Sequence, residues 1–295
     1  MNPIDLALAL LANTAWAFNF IAGKAGLEHF SPLLFTALRF SLLLVLLLPF
    51  LRWIPGQMKG VLGVGVVLGI FHFGLIFAGL AAAGDVSSIA IAAQLYVPFS
   101  AIMAVLFLRE TLGWRRIVGI ACAFCGVMVI GFDPIVFNHP DALFFTISAA
   151  LVMAIATIMM RRLQGVSVFT LQAWIALIAT PSMIVLSLLL EQNQLAVLRS
   201  ATWLDYAMPA YSAIGASLVG HGIVYYLLGR HPVSVTAPLM LLTPVLAVLF
   251  GVVIWGDTLT WKLMLGGAMT LAGVAVITIR APQQALALAS KPAQP

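Results

Sequence analysis

Ten apolar runs follow one another along almost the whole chain, at about 4–22, 33–51, 60–82, 86–108, 114–131, 141–161, 168–190, 205–228, 233–255 and 261–279. A helix needs roughly 20 apolar residues to span the hydrocarbon core of a bilayer. A barrel strand needs only about 10, in alternation, whereas these runs are continuous. In lipid the backbone must satisfy its own hydrogen bonds, so segments of this kind become helices. The chain therefore reads as an all-α membrane protein of ten transmembrane helices. Only 8% of its residues are charged, against about 25% in soluble domains, and no separate soluble domain is expected. The first run carries Asp5 but no basic segment ahead of it, so it reads as a retained helix and not as a signal peptide.

The net charge of +5 points to topology, not to nucleic acid, because the basic residues sit in short loops. With the N-terminus placed in the cytoplasm, the cytoplasmic side takes Arg52, Lys59, Arg109, Arg115, Arg116, Arg161, Arg162, Arg230, Arg280 and Lys291. The far side keeps Lys24, Arg199 and Lys262, and Arg39 falls within the second span. That bias predicts both termini in the cytoplasm. All nine acidic residues fall in loops or at helix ends.

The two halves of the chain repeat. Glu110-Thr111-Leu112-x-Trp114 returns as Asp257-Thr258-Leu259-x-Trp261, and Gly119 and Gly126 return as Gly266 and Gly273, all at a spacing of 147. Val86-Ser87 matches Val233-Ser234 at the same spacing, while Pro98 and Pro244 are 146 apart. Five spans per half is an odd number, so tandem halves lie in opposite orientations across the bilayer. The expected organisation is a first five-helix repeat over 1–136, an inverted second repeat over 137–282, and an unstructured cytoplasmic tail over 283–295. Inverted repeats are the architecture of secondary transporters, with the substrate site near the midplane between them.

Here the residues carry a resemblance. "WAFNFIAGKA" (16–25), "SPLLFTALRF" (31–40) and the twice-written L-x-E/D-T-L-x-W turn, loosened in the second copy by Trp255-Gly256, are similar to the EamA-type family of the drug/metabolite transporter superfamily. Within it the chain most resembles the bacterial aromatic amino-acid exporters. The resemblance implies an exporter whose helices 1–4 and 6–9 surround a cavity, with helices 5 and 10 to one side. One departure is that Leu177 stands where the second half would repeat Arg39.

Polar groups inside spans are costly and by default face a cavity or the bundle interior. The mid-span candidates for the substrate path are Trp16, Asn19, His72, Gln94, Tyr96, His221, Tyr225 and Met240. Trp16 and Asn19 share a helical face, and His72 and His221 occupy matching spans. Asn13, Gln172, Trp174 and Tyr226 also lie mid-span, with packing as the competing role. Pro98 and Pro244 are expected hinges, since an interior proline removes a backbone hydrogen bond. A neutral or zwitterionic, partly apolar substrate suits this set. A phosphorylated metabolite or nucleotide sugar would want mid-span cations, and only Arg39 qualifies.

No cofactor or metal is expected. Cys122 and Cys125 lie in an apolar run without further ligands, and H-E-x-x-H, G-x-S-x-G and a phosphate-gripping loop are absent. An intramembrane enzyme is therefore disfavoured. With no mid-span carboxylate, facilitated export is favoured over proton coupling, which would have to run through His72 or His221. The expected partners are a small-molecule substrate and the bilayer, with the chain a monomer or a homodimer through its glycine-rich fifth and tenth helices.

Overall fold

The computed structural model describes residues 2–108, 113–231 and 239–289. Arg109, Glu110, Val233 and Ser234 lie outside them. Among the described residues every regular element is helical: α1 (Pro3–Leu27), α2 (Pro32–Leu47), α3 (Met58–Val66), α4 (Phe73–Ala82), α5 (Val86–Ala92), α6 (Tyr96–Leu108), α7 (Trp114–Gly131), α8 (Pro134–Phe137), α9 (Pro140–Met160), α10 (Val168–Leu190), α11 (Gln194–Ser200), α12 (Trp203–Tyr211), α13 (His221–Arg230), α14 (Leu242–Phe250) and α15 (Trp261–Ala289). A π-helical turn at Val67–His72 joins α3 to α4, and another at Ser212–Gly220 joins α12 to α13. A tight 3-10 turn at Ala93–Leu95 joins α5 to α6. Seven helical stretches are long and apolar enough to cross a membrane, and Leu242–Trp255 and Trp261–Ile277 are shorter apolar helices. Trp203–Arg230 is a further unbroken helical run.

The residues are sorted as lipid requires. Small side chains line the interior: Ala9, Ala12, Ala15, Ala17 and Ala22 on α1, and Ala149, Ala150, Ala154 and Ala156 on α9, are all buried. Large apolar side chains point outward, with Leu189 73% and Val253 72% exposed. Surface of that character belongs against acyl chains, where small residues let helix backbones approach closely. The packing follows: α1 lies against α14 and the Trp203–Arg230 run, α9 lies against α4 and α6, and α2 against α10.

The closest approach joins α7 to α15. A Cβ added at Gly119 would meet the Gly273 carbonyl at 2.9 Å, and one added at Gly126 would meet the Gly266 carbonyl at 2.5 Å. The glycine stripe read from the sequence is thus taken up within the chain.

Acidic side chains in the loops serve helix N-termini, where unpaired N–H groups attract negative charge. Glu191 accepts from the Leu33 and Leu34 N–H groups at 2.7 and 3.1 Å and caps α2 from the end of α10. Asp85 caps α5 through the Ser88 N–H at 2.8 Å. Burial pushes the Asp85 carboxyl above the usual carboxylate range, and the Ser88 hydrogen bonds oppose that shift. Asp257 also reaches the first turn of α5, accepting from the Val86 and Ser87 N–H groups.

Two boundaries differ from the sequence reading. The first helix extends to Leu27 and includes Lys24, whose Nζ donates to the Leu80 carbonyl at 2.9 Å and also to that of Ala83. A cation satisfied by the last carbonyls of α4 need not end its own helix. Helix α15 runs on to Ala289, beyond the tail boundary at 282. The "QQALALA" segment is built from strong helix formers, which carry the helix past the apolar run.

Candidate functional site

A cavity of about 270 Å³ lies at the centre of the bundle. Helix α1 brings Trp16, Asn19 and Phe20 to its wall, and α2 brings Arg39. The π turn places His72, α4 supplies Phe73, Ile76, Phe77 and Leu80, and the tight turn before α6 adds Gln94 and then Tyr96. From the second half come Ala150 and Met153 on α9, His221 at the start of α13, and Met240 and Thr243. The structure thus gathers seven of the eight sequence candidates, namely Trp16, Asn19, His72, Gln94, Tyr96, His221 and Met240, around one space. The side chain of the eighth, Tyr225, lies outside the described residues.

Both histidines sit at the end of a π turn: His72 closes one, and His221 directly follows the other. Turns of this kind widen a helix and are frequent at functional sites. His72 Nδ1 lies 3.0 Å from the Ala149 carbonyl of α9. His221 Nδ1 lies 3.1 Å from the Ala216 carbonyl, which also accepts the Trp16 indole N–H at 3.0 Å. The Trp16 and His221 rings meet edge to face at 5.2 Å. Gly220 makes this possible, because a Cβ there would stand 2.4 Å from Trp16 Nε1. One ring nitrogen of each histidine is thereby held against backbone, which fixes the ring at the cavity wall.

The remaining mid-span polar residues are packed away from the cavity. Asn13 donates to the Ala9 carbonyl and accepts the Thr243 hydroxyl at 2.6 Å, tying α1 to α14. The Gln172 amide lies 3.4 Å from the Ser217 carbonyl. The Trp174 indole donates to the Arg52 carbonyl at 2.9 Å. Tyr226 is exposed and lies under the Arg230 guanidinium at 4.5 Å.

Both prolines are buried, and each is the third residue of its helix, Pro98 in α6 and Pro244 in α14. Pro98 nonetheless lies within the continuous helical run Val86–Phe107, where it cannot donate to the carbonyl four residues back. In the first half the helical form changes just before the proline, at Ala93–Leu95. The residues just before and beside the prolines, Gln94, Tyr96, Met240 and Thr243, are cavity residues.

Arg39 is a charged cavity residue that the sequence candidates omit. It is 2% exposed, and its Nη2 donates to the Ser217 hydroxyl at 2.9 Å. The signal was present, since an arginine in the middle of a span is a functional group by default. Arg39 has no counterpart in the second half, where Leu177 stands. Among the described residues no three His, Cys, Asp or Glu side chains gather to hold a metal.

Apolar helices carrying lipid-facing side chains, gathered around a chamber with a few polar groups on its wall, define a multi-pass membrane protein. The chain belongs to the EamA-like transporter family, whose model matches residues 4–132 and again residues 141–279. It is 30% identical over 287 residues to a probable amino-acid metabolite efflux pump of Salmonella typhimurium, covering 93% of this chain and 94% of that one. A probable amino-acid metabolite efflux pump of Escherichia coli is 29% identical over 285 residues, 93% of this chain and 94% of that one. A solved crystal structure, 18% identical, shares the fold with a TM-score of 0.64 over 96% of this chain and 99% of that one.

Proposed function

We propose that this chain exports neutral amino acids with sizeable apolar side chains, aromatic ones among them, across a bacterial inner membrane by alternating access. The observation that carries this reading is the cavity itself, in which histidine, amide and indole groups share the walls with Phe20, Phe73, Phe77, Met153 and Met240. A small amphiphile matches both kinds of wall, and the size of the space suits a metabolite more than a drug-sized molecule, whose sites run to about 300–1,000 Å³. The two relatives named as amino-acid metabolite efflux pumps support the same substrate class.

Alternating access between two inverted five-helix repeats is supported by how the packing exchanges. Helix α1 lies on α14 and the Trp203–Arg230 run, and α9, its counterpart in the second half, lies on α6 and the α4 span. The glycine approaches obey the same exchange, Gly119 with Gly273 and Gly126 with Gly266. Two arrangements related by such an exchange are close in energy, one open to each side. The loop bias of Lys and Arg supports cytoplasmic termini.

Transport runs down the substrate gradient. No carboxylate lines the cavity, and the buried acids Asp85 and Asp257 are engaged in capping α5. An exchanger of phosphorylated metabolites would want several cations in the cavity, and its wall holds Arg39 alone among Lys and Arg.

The test is counterflow in proteoliposomes with labelled phenylalanine, tryptophan, methionine and threonine, repeated with His72→Ala and Tyr96→Ala. Flux of the apolar members, reduced in both variants, is the expected result. No amino-acid flux would overturn the substrate assignment, and a rate that follows an imposed pH gradient at fixed substrate would overturn the facilitated mode.

A further inference from the structure

We propose that Arg39 is the carboxylate anchor of the cavity and that the Asn19 side-chain oxygen receives the substrate's ammonium group, so that the transported species is held by its zwitterionic end. This rests on the amino-acid reading above and names the groups that would enforce it.

The starting point is a buried cation without a counter-ion among the described residues. Arg39 is 2% exposed and lines the cavity. Its Nε and Nη1 have no hydrogen-bond partner, and its one polar contact is the Ser217 hydroxyl. Among the described residues no carboxylate contacts Arg39. A charge taken out of water is strongly unfavourable unless it is paired and hydrogen-bonded. Phenyl rings offset part of that, with the guanidinium carbon 4.2 Å from the Phe73 centroid, 5.3 Å from that of Phe40 and 5.6 Å from that of Phe77. Ring contacts use the faces of the guanidinium, and the N–H groups in its plane still lack an acceptor. A carboxylate is the ligand group that supplies both the acceptors and the missing charge.

Asn19 is the second observation. Its Oδ1 is buried without a donor, and the residue lines the same cavity. Arg39 has only donors, whereas this oxygen is an acceptor. A zwitterion presents the complement of that pair, an acceptor group and a donor group on one carbon. The aromatic and Met walls are then left for its side chain.

The arrangement has a direction built into it. Ser217 lies in the π turn of the second half, and its hydroxyl also donates to the Ser212 carbonyl at 3.3 Å. An anion on Arg39 would therefore pull on a guanidinium tethered to the opposite repeat.

The experiment measures binding to the purified full chain in detergent, by ligand-induced thermal stabilisation. The probes are phenylalanine and methionine, their amides, 3-phenylpropionate and phenethylamine. The amides and the amine, which lack a carboxylate, should bind wild-type protein at least about tenfold more weakly than the amino acids. Arg39→Gln should erase that difference, Arg39→Lys should retain part of it, and Asn19→Leu should bring phenylalanine down to the level of 3-phenylpropionate. Equal binding of acid and amide to wild type overturns the anchor, as does an acid preference that survives in Arg39→Gln. Should Arg39→Gln fail to fold, the wild-type comparison decides alone. If phenylalanine is carried but its amide binds equally well, the anchor falls and the exported class stands. If no amino acid is carried yet 3-phenylpropionate stabilises wild type and not Arg39→Gln, the exported class falls and the anchor stands. If no carboxylate stabilises wild type, the anchor falls.

Discussion

The Asp257 carboxylate accepts two hydrogen bonds from Ser87, from its hydroxyl at 2.6 Å and its backbone N–H at 2.8 Å. A third comes from the Val86 N–H at 3.0 Å. A residue of the second half thereby closes the first turn of α5 in the first. The Asp-Thr-Leu-x-Trp turn is thus more than the start of the next helix, because its acid fastens two distant segments together. Asp257→Ala should destabilise the protein by about 2 kcal/mol, the upper range for loss of a helix cap, with the buried N–H groups left unpaired. Asp257→Asn, which keeps an acceptor, should lose roughly half as much. Thermal unfolding in detergent reads both, and an Ala variant with wild-type stability would show the contact to be incidental.

How far the sequence reaches is set by how local each cause is. The spans are legible because bilayer thickness imposes their length, and the repeat is legible because it is written in residue identity. Lys24 reads as a helix end only until its carbonyl partners on α4 are seen, 56 residues away. The same holds for Glu191, which caps α2 from 158 residues off. Arg39 was visible as a mid-span charge, yet what makes it a candidate is the lack of a nearby acid, and only the fold shows which groups are near. Of the adjacent tyrosines, helical geometry allows one to face inward, and Tyr226 faces out, 41% exposed.

Helices α7 and α15 should tolerate no added side chain at their glycine contacts. A Cβ at Gly126 would stand 2.5 Å from the Gly266 carbonyl and 2.4 Å from Thr270 Oγ1. The obstruction is largely backbone, which cannot rotate away as a side chain can. Gly126→Ala should lower stability by about 1–3 kcal/mol, as overpacking does, and Gly273→Ala, whose Cβ would lie 2.4 Å from the Gly119 carbonyl, should do likewise. Gly56→Ala is a poor control because its φ is +78°. A control at Gly74, where the nearest atom is the Met183 methyl carbon at 3.4 Å, should fall well below both.

Trp16 offers a test that separates the cavity wall from the fold. In Gly220→Ala the new methyl collides with the indole nitrogen, so the ring must turn and release the Ala216 carbonyl. Trp16→Phe breaks the same hydrogen bond without crowding. Both should impair counterflow by about tenfold, the loss expected for a displaced positioning group. Only Gly220→Ala should also lose about 1–3 kcal/mol of stability. Wild-type flux in Trp16→Phe would remove the indole from the substrate path.

The prolines test the motion. Pro98 and Pro244 are buried, each at the third position of its helix, and the residues flanking them line the cavity. The tight turn at Ala93–Leu95 ends where the Pro98 ring begins to exclude a regular ladder. Replacing proline by alanine restores an N–H, so the helix can run straight through the turn, and the bent form loses its preference. If exchange between the two open states uses these bends, Pro98→Ala and Pro244→Ala should each slow counterflow several-fold. The double variant should slow it by about tenfold or more, as when a conformational step limits turnover. Substrate-induced thermal stabilisation should persist in the double variant, because the cavity residues are untouched. Counterflow at the wild-type rate in the double variant would place the motion elsewhere. Loss of binding together with flux would mean that the prolines shape the cavity and do not move it.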